Sequence, residues 1–250
     1  MRTKTTTQTH LPTRRGFTLV ELLVVIAIIV VLAALVFVGG TRARKAAQRV
    51  AAVSTAKNLM TANATYLSDH NGKYVPMWEN DDKGNVSVSW VSSEDFRSAL
   101  GEDTSGNWNP WTIEEQMVDP RVKSLAKGDK DVWSEIVANW GMIQPHNAGT
   151  WGDRGAKAQH TAANIADPAN TAAFVSAADW IVQWGRQDAL SDRLDFVGKE
   201  QGAVSYRHDG QAIVVYFDGH AEAQKYEALS RQWENGGRDN VWWGGKIYKQ

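Results

Sequence analysis

An uninterrupted apolar segment near the N-terminus constrains this 250-residue chain more than any other feature. Residues 22–38 are 17 consecutive residues without a charge or a proline, rich in Val, Ile and Leu. At about 1.5 Å per helical residue this run reaches roughly 25 Å, so with residues 17–20 it can cross a hydrocarbon core about 30 Å thick. Because a backbone in lipid must satisfy its own hydrogen bonds, we expect a transmembrane helix over residues 17–40.

A single acid, Glu21, lies one turn inside this segment. A carboxylate within a bilayer costs about 2.5–3.5 kcal/mol on insertion scales, less near the interface, and usually has a functional partner. The competing interpretation is a boundary residue that faces lipid headgroups. Arg14 and Arg15 already mark the aqueous side, which favours the functional interpretation.

Residues 16–21, with the sequence GFTLVE, resemble the prepilin cleavage and methylation motif of type IV pilins and type II secretion pseudopilins. The resemblance implies that a prepilin peptidase cuts between Gly16 and Phe17 and methylates Phe17. It also implies that Glu21, the fifth residue of the mature chain, pairs with the N-terminal amine of a neighbouring subunit during filament assembly. Residues 1–16 are then a leader that is removed.

Other interpretations of the N-terminus stay open. Arg14 and Arg15 also resemble a twin-arginine export signal, although this run is strongly hydrophobic and no A-x-A cleavage site follows it. A secretory signal peptide has an apolar core of about 7–15 residues, which is shorter than this run. A plain membrane anchor is possible too, and it would not need Glu21.

Composition and charge narrow the class of protein. The chain has no cysteine, which excludes disulfides, thiolate catalysis and Cys-ligated zinc. Four Lys or Arg in residues 1–16 place the leader in the cytoplasm by the positive-inside rule, although a basic cluster after the apolar run opposes this (Arg42, Arg44, Lys45, Arg49). Without the leader, 23 basic and 28 acidic residues remain, so no global nucleic-acid footprint is visible.

We expect the helix to continue as an amphipathic segment over residues 41–72. Gly39 and Gly40 should lower the helix stability where the two segments meet, a soft point in the helix, and Gly72 should end the helix. Spacings of three and four predict one face for packing on a sheet, formed by Ala46, Val50, Val53, Lys57, Met60, Ala64 and Leu67. The opposite side would carry Arg49, Asn58 and Asn63.

We expect residues 73–163 to form a variable region in which few elements can be predicted. The predicted elements are a strand near 86–91 and helices near 94–100 and 131–140. Residues 164–250 predict an antiparallel sheet, with strands at 171–177, 203–207, 212–217 and 220–223 and a helix at 225–233. Asp-Gly pairs at 209–210 and 218–219 are strong hairpin signals. The expected fold is α+β and pilin-like, with a long N-terminal helix packed on an antiparallel sheet and an irregular middle insertion.

The spacing from His208 to Asp218 and Gly219 resembles an H-x9-DG segment that accompanies prepilin-type N-termini. A tight hairpin could bring His208 and Asp218 together in a small ion site, whereas the structural alternative is a cap and an Asx turn. A structural calcium ion is possible, since some major pseudopilins bind calcium beside the sheet. Four aspartates could supply oxygens: Asp179, Asp188, Asp192 and Asp195.

The leading functional hypothesis is a pilin-like structural subunit of a type IV pilus or type II secretion pseudopilus. It would be a bacterial inner-membrane protein with one pass and an extracytoplasmic domain. Its partners would be prepilin peptidase and other pilin subunits. The alternative is a membrane-anchored binding module, lectin-like or DNA-capturing, that uses some of the twelve tryptophans on its surface. No catalytic motif occurs, so we expect neither an enzyme nor a cofactor beyond the possible calcium.

Overall fold

The computed structural model describes residues 17–105, 117–125, 140–143, 145, 153–177, 180–182 and 204–229. The chain divides into two compact units, Met1–Arg44 and Lys45–Gln250, which are described separately.

The first unit holds the N-terminal part of helix α1, which runs over Leu19–Asp69. The helix is continuous through Gly39 and Gly40, where the sequence predicted a soft point. The large apolar side chains described between Leu19 and Phe37 are exposed on every side of the helix. Among the described residues, α1 alone is long and apolar enough to cross a membrane.

The end of α1 lies where the sequence predicts it. The helix ends at Asp69, and Asn71 and Gly72 follow in the left-handed region with φ of 53° and 75°. The Gly72 N–H donates to the Leu67 carbonyl over 3.1 Å, closing the last turn. Glycine adopts this conformation without a Cβ clash, which makes it the usual helix stop.

The buried face of α1 in the second unit differs from the predicted one. The sequence placed Val50 and Ala64 on the packing face and Asn63 opposite, but Val50 and Ala64 are exposed and Asn63 is buried. Met60 is buried as predicted, and Val53 and Leu67 are half-buried against the core. The other buried residues lie about one position away along the helix: Ala52, Ala56, Leu59, Ala62, Asn63 and Tyr66. Asn63 Oδ1 accepts the Val75 N–H over 3.0 Å. A polar residue is therefore buried because it has a backbone partner.

The main sheet of the second unit has five strands, and α1 packs on one of its faces. The strands are β3 (Trp140–Ile143), β5 (Ala172–Ser176), β6 (Ile181–Val182), β7 (Gln211–Tyr216) and β8 (Ala221–Lys225), in the order β6-β3-β5-β7-β8. Neighbours are antiparallel except β3 and β6, which are parallel. The predicted α+β class, with a long helix on a largely antiparallel sheet, is confirmed.

Residues 73–163 contribute more to this unit than the sequence indicates. They supply β3 to the interior of the main sheet and form a three-stranded sheet in the order β2-β1-β4, from β1 (Trp78–Asn80), β2 (Val86–Ser89) and β4 (Lys157–Ala158). Helix α2 (Glu94–Ala99) begins as predicted, with Ser93 as N-cap. Helix α3 (Pro120–Leu125) and a 3-10 turn (Ala162–Asn164) also lie in this region.

Two hydrophobic clusters cover the two faces of the main sheet. On the α1 side, Leu59 and Met60 share a cluster with Phe174, Ile213 and Val215. On the other side, residues that alternate with these along β5 and β7 pack with Val204, Tyr206 and Leu229. Side chains that alternate along each strand thus pack into two different cores, as expected for a sheet covered on both faces.

One predicted strand is wrong. Within the described part of 203–207, only Val204 pairs with the sheet, through a single bridge to Ala177. The Asp209-Gly210 turn does form, with φ of 54° and 77°, but it enters β7 from an irregular segment. β7 instead pairs with β8, which follows it directly, and with β5, which comes from a distant part of the chain. The helix predicted at 131–140 lies outside the described residues except for Trp140, which is in β3. Of the helix predicted at 225–233, residues 226–229 are described and are helical, and residues 230–233 lie outside the described residues.

Candidate functional site

The N-terminal motif begins α1 with a capping box. The Thr18 backbone N–H donates to Glu21 Oε2 over 2.9 Å, and the Thr18 hydroxyl donates to the same oxygen over 2.8 Å. Thr18 Oγ1 accepts the Glu21 N–H in return, at 3.2 Å. In this reciprocal pair each side chain satisfies a backbone donor that the first turn of a helix would leave unpaired.

The sequence analysis interpreted Glu21 either as a charge that pairs with another subunit or as a boundary residue that faces headgroups, and it missed a partner within the same chain. The signal for a local partner was present, because Thr-x-x-Glu before an apolar run is the capping-box pattern. All the hydrogen bonds from Thr18 end on Oε2 of the carboxylate. Phe17 is exposed in front of the helix, and Gly16 lies outside the described residues.

His208 and Asp218 do not meet. His208 is buried, and its Nε2 lies 2.9 Å from Asp119 Oδ2, a residue 89 positions earlier in the chain. Asp218 Oδ1 instead accepts the backbone N–H of His220 over 3.0 Å and lies 2.6 Å from His220 Nδ1. Gly219, with φ of 90°, completes the turn between β7 and β8. The Asp218 arrangement is the Asx turn of the structural interpretation.

Asp119 is the centre of a buried ionic cluster, here called the Asp119 hub. Its carboxylate contacts His208, lies 3.9 Å from Arg207 Nη1, and accepts the Arg121 N–H over 2.8 Å. Burial disfavours the charge of Asp119, but the hydrogen bond and charge of His208, the charge of Arg207 and the Arg121 N–H outweigh it, so the pKa of Asp119 lies below its usual value. The hub joins α3 to the turn before β7.

A second buried histidine, His160, lies in the core. It makes a hydrogen bond from Nε2 to the Ile143 carbonyl over 3.0 Å and packs edge-on against Phe217. Burial lowers the pKa of His160 to about 4, against a smaller opposing effect of the Ile143 hydrogen bond. This histidine is neutral at physiological pH and serves the core.

Binding chemistry is sparse in the described part of the chain. No group of three or more His, Asp or Glu residues that could hold a metal occurs there. The four aspartates considered for calcium, Asp179, Asp188, Asp192 and Asp195, lie outside it, so the calcium site stays a prediction. Of the four tryptophans described, Trp78, Trp90 and Trp140 are buried and Trp180 is half-buried. These four offer no stacking surface for the alternative function.

Comparisons with known proteins agree with the N-terminal motif. The family model for the prokaryotic N-terminal methylation motif matches residues 11–37. Neither the curated proteins nor the solved structures gave a match. The H-x9-DG resemblance therefore stays a prediction. The matched motif, with the long apolar helix followed by an α+β unit, supports a type IV pilin- or pseudopilin-like protein with a prepilin-type N-terminus.

Proposed function

We propose that this chain is a structural subunit that prepilin peptidase cuts after Gly16 and that assembles into a type IV pilus or a type II secretion pseudopilus. The observation that carries the proposal is the methylation motif at residues 11–37, together with the apolar helix that begins within it at Leu19 and whose described apolar side chains are exposed. A helix that is apolar on all sides needs an apolar environment on all sides. The inner membrane supplies it before assembly, and neighbouring α1 helices supply it afterwards.

The capping box refines the role of Glu21. A carboxylate satisfied by Thr18 enters the bilayer at lower cost than an unpaired one. After cleavage, the Phe17 amine of another subunit is a cation that can reach the same carboxylate, and the interaction gains strength where water is excluded. The proposed assembly contact is therefore an intermolecular charge pair added to an intramolecular cap.

The test compares Glu21→Ala with Thr18→Ala in cells that assemble the filament. Both variants break the capping box, but only Glu21→Ala removes the carboxylate. We expect Glu21→Ala to insert in the membrane and be cleaved yet to yield few or no filaments, while Thr18→Ala assembles close to wild-type levels. Sheared filament yield and membrane fractionation measure the two steps. Normal filament yield from Glu21→Ala, or equal loss in both variants, would contradict the role proposed for the carboxylate.

A further inference from the structure

His70, the first residue after α1, has an oxygen atom facing each nitrogen of its ring. Its Nδ1 lies 2.8 Å from the backbone carbonyl oxygen of Tyr66, in the last turn of α1. Its Nε2 lies 3.1 Å from Oδ2 of Asp95, in the first turn of α2. The imidazole therefore joins the end of α1 to the start of α2, across 25 positions of sequence.

Both of these oxygen atoms accept hydrogen bonds, and neither donates one. A backbone carbonyl is always an acceptor, and an ionised carboxylate has no proton to give. A neutral imidazole has a single N–H, so it can donate to only one of the two oxygens, and its other nitrogen then turns a lone pair toward the second. Only the doubly protonated ring of His70 donates to Tyr66 and to Asp95 at the same time.

Stacking on Tyr66 holds the ring in this orientation. The two ring centroids are 3.6 Å apart and the ring planes differ by 3°, and Tyr66 is buried. A rotation that moves one nitrogen of His70 away from its oxygen either tilts the ring off Tyr66 or withdraws both nitrogens together. The neutral ring therefore cannot keep the stacking and also avoid a lone pair that faces an oxygen.

The acidic groups around the histidine come from both helices and from the small sheet. Asp69 precedes it at the end of α1, and Glu94 precedes Asp95 in the first turn of α2. Burial, and after it the charges of Asp95 and of Glu79 in β1, raises the pKa of Tyr66. These acids favour a positive charge on the ring that stacks on Tyr66.

Two cations flank this contact in the chain. Lys73 follows His70 by three residues and is exposed, while Arg97 of α2 is buried in an ion pair with Glu102. The cation that the structure places against Asp95 is therefore a protonated His70.

The contact bridges a cleft between the end of α1 and α2, with His70 on one wall and Asp95 on the other. The cleft has a volume of about 480 Å³ and is lined by Thr65, Tyr66, Asp69, His70, Asp95, Ser98 and Ala99. Phe96 anchors α2 independently, because it is buried and stacks against Phe174. Loss of the contact would therefore loosen one wall of the cleft without removing α2 from the core.

We propose that His70 is a proton-dependent clasp that holds α2 against the end of α1. With two protons the ring donates to both helices, and when it loses one proton one of the two hydrogen bonds is lost. The stabilisation is present below the ordinary titration range of histidine, about pH 6.5, and is lost as the pH rises through it. The clasp lies wholly within the second unit and needs neither cleavage after Gly16 nor assembly.

Hydrogen–deuterium exchange of the full chain in detergent, measured by mass spectrometry at about pH 5 and about pH 8, tests the clasp. The peptides of interest cover residues 94–101. Wild type is compared with His70→Gln, which cannot take up a second proton, at the same pH, so that intrinsic exchange rates cancel. His220→Gln is the matched control, because His220 contacts Asp218 within a single turn and joins no two helices.

At about pH 5 we expect the α2 amides of His70→Gln to exchange about two- to five-fold faster than those of wild type, as for loss of a partly exposed ion pair. At about pH 8 the two proteins should exchange equally, because wild type has then lost the clasp. Asp95→Asn, a change at an exposed position of the other wall, should give the same pair of results and guards against misfolding of His70→Gln. His220→Gln should match wild type in α2 at both pH values.

Equal exchange of wild type and both variants at the acidic pH overturns the proposal. So does an increase of the same size at both pH values, which would make the contact a hydrogen bond that is independent of protonation. A change in only one of the two variants contradicts it as well, because the clasp needs His70 and Asp95 together. Filament yield is not part of this measurement, so a failure of the role proposed for Glu21 leaves its outcome unaffected.

Discussion

The two halves of α1 carry apolar residues in opposite environments. In the first half Leu22, Leu23 and Ile26 are 54%, 64% and 53% exposed, whereas in the second half Ala56 and Leu59 are fully buried at 0%. The first half is apolar on every face and built of large residues. The second half buries one narrow face, built largely of small residues. The second half of α1 is covered by its own sheet. In the proposed function, lipid or other helices cover the first half.

This difference predicts where substitutions act on the isolated subunit. The first half should tolerate apolar changes, because its described apolar side chains are exposed. The second unit should be sensitive to the loss of buried polar partners and to added volume, because its interior is closely packed. The predictions below test that contrast in the full chain, held in detergent or nanodiscs.

The largest effect is expected at the Asp119 hub. Asp119→Ala leaves Arg207 and His208 buried without their carboxylate, so we expect a loss of about 3–5 kcal/mol in the free energy of unfolding. Urea denaturation followed by tryptophan fluorescence measures it, since Trp78, Trp90 and Trp140 are buried in the second unit. Asp209→Ala removes an exposed acid from the neighbouring turn and should cost about 1 kcal/mol or less. Equal effects would mean that the hub does not hold the unit together.

The next effect is a pH dependence from His160. Because the pKa of His160 is about 4 in the folded chain and about 6.5 when unfolded, its contribution is intact above pH 6.5 and is lost as pH falls toward 4. We expect the stability of wild type to fall by about 3 kcal/mol more than that of His160→Gln between pH 7 and pH 4. His220→Gln, at an exposed histidine, is the control. Parallel pH profiles for wild type and His160→Gln would contradict a buried neutral imidazole.

The smallest effect compares one substitution in the two halves of α1. Ala56→Leu adds volume to a closed contact and should destabilise the second unit by about 1–3 kcal/mol. Ala33→Leu adds the same atoms to the exposed half and should change the unfolding free energy by less than about 0.5 kcal/mol. If Ala56→Leu were neutral as well, the face assigned to the second half of α1 would be wrong.

Local sequence signals predicted the elements that local chemistry determines. Asn71 and Gly72 end α1, Ser93 caps α2, and the Asp218-Gly219 turn joins β7 to β8, each as expected from the preferences of those residues. The N-terminal motif could be recognised for the same reason, because it consists of six adjacent residues.

Partners that are distant in sequence escaped prediction. Spacing alone fits more than one face of α1, and the choice depends on Val75 donating to Asn63. One of the two interpretations of His208 placed it beside Asp218, ten residues away, but His208 pairs with Asp119, from a region in which few elements could be predicted. β3 joins the sheet interior from that same region. These features depend on tertiary packing, which no local pattern encodes.

The most direct test of the account is the intact mass and N-terminal sequence of the chain purified from the membrane of cells that express prepilin peptidase. The account predicts a chain that begins at Phe17 and is heavier by one methyl group at its N-terminus. A chain that still begins at Met1, or one cut after the apolar run, would contradict it.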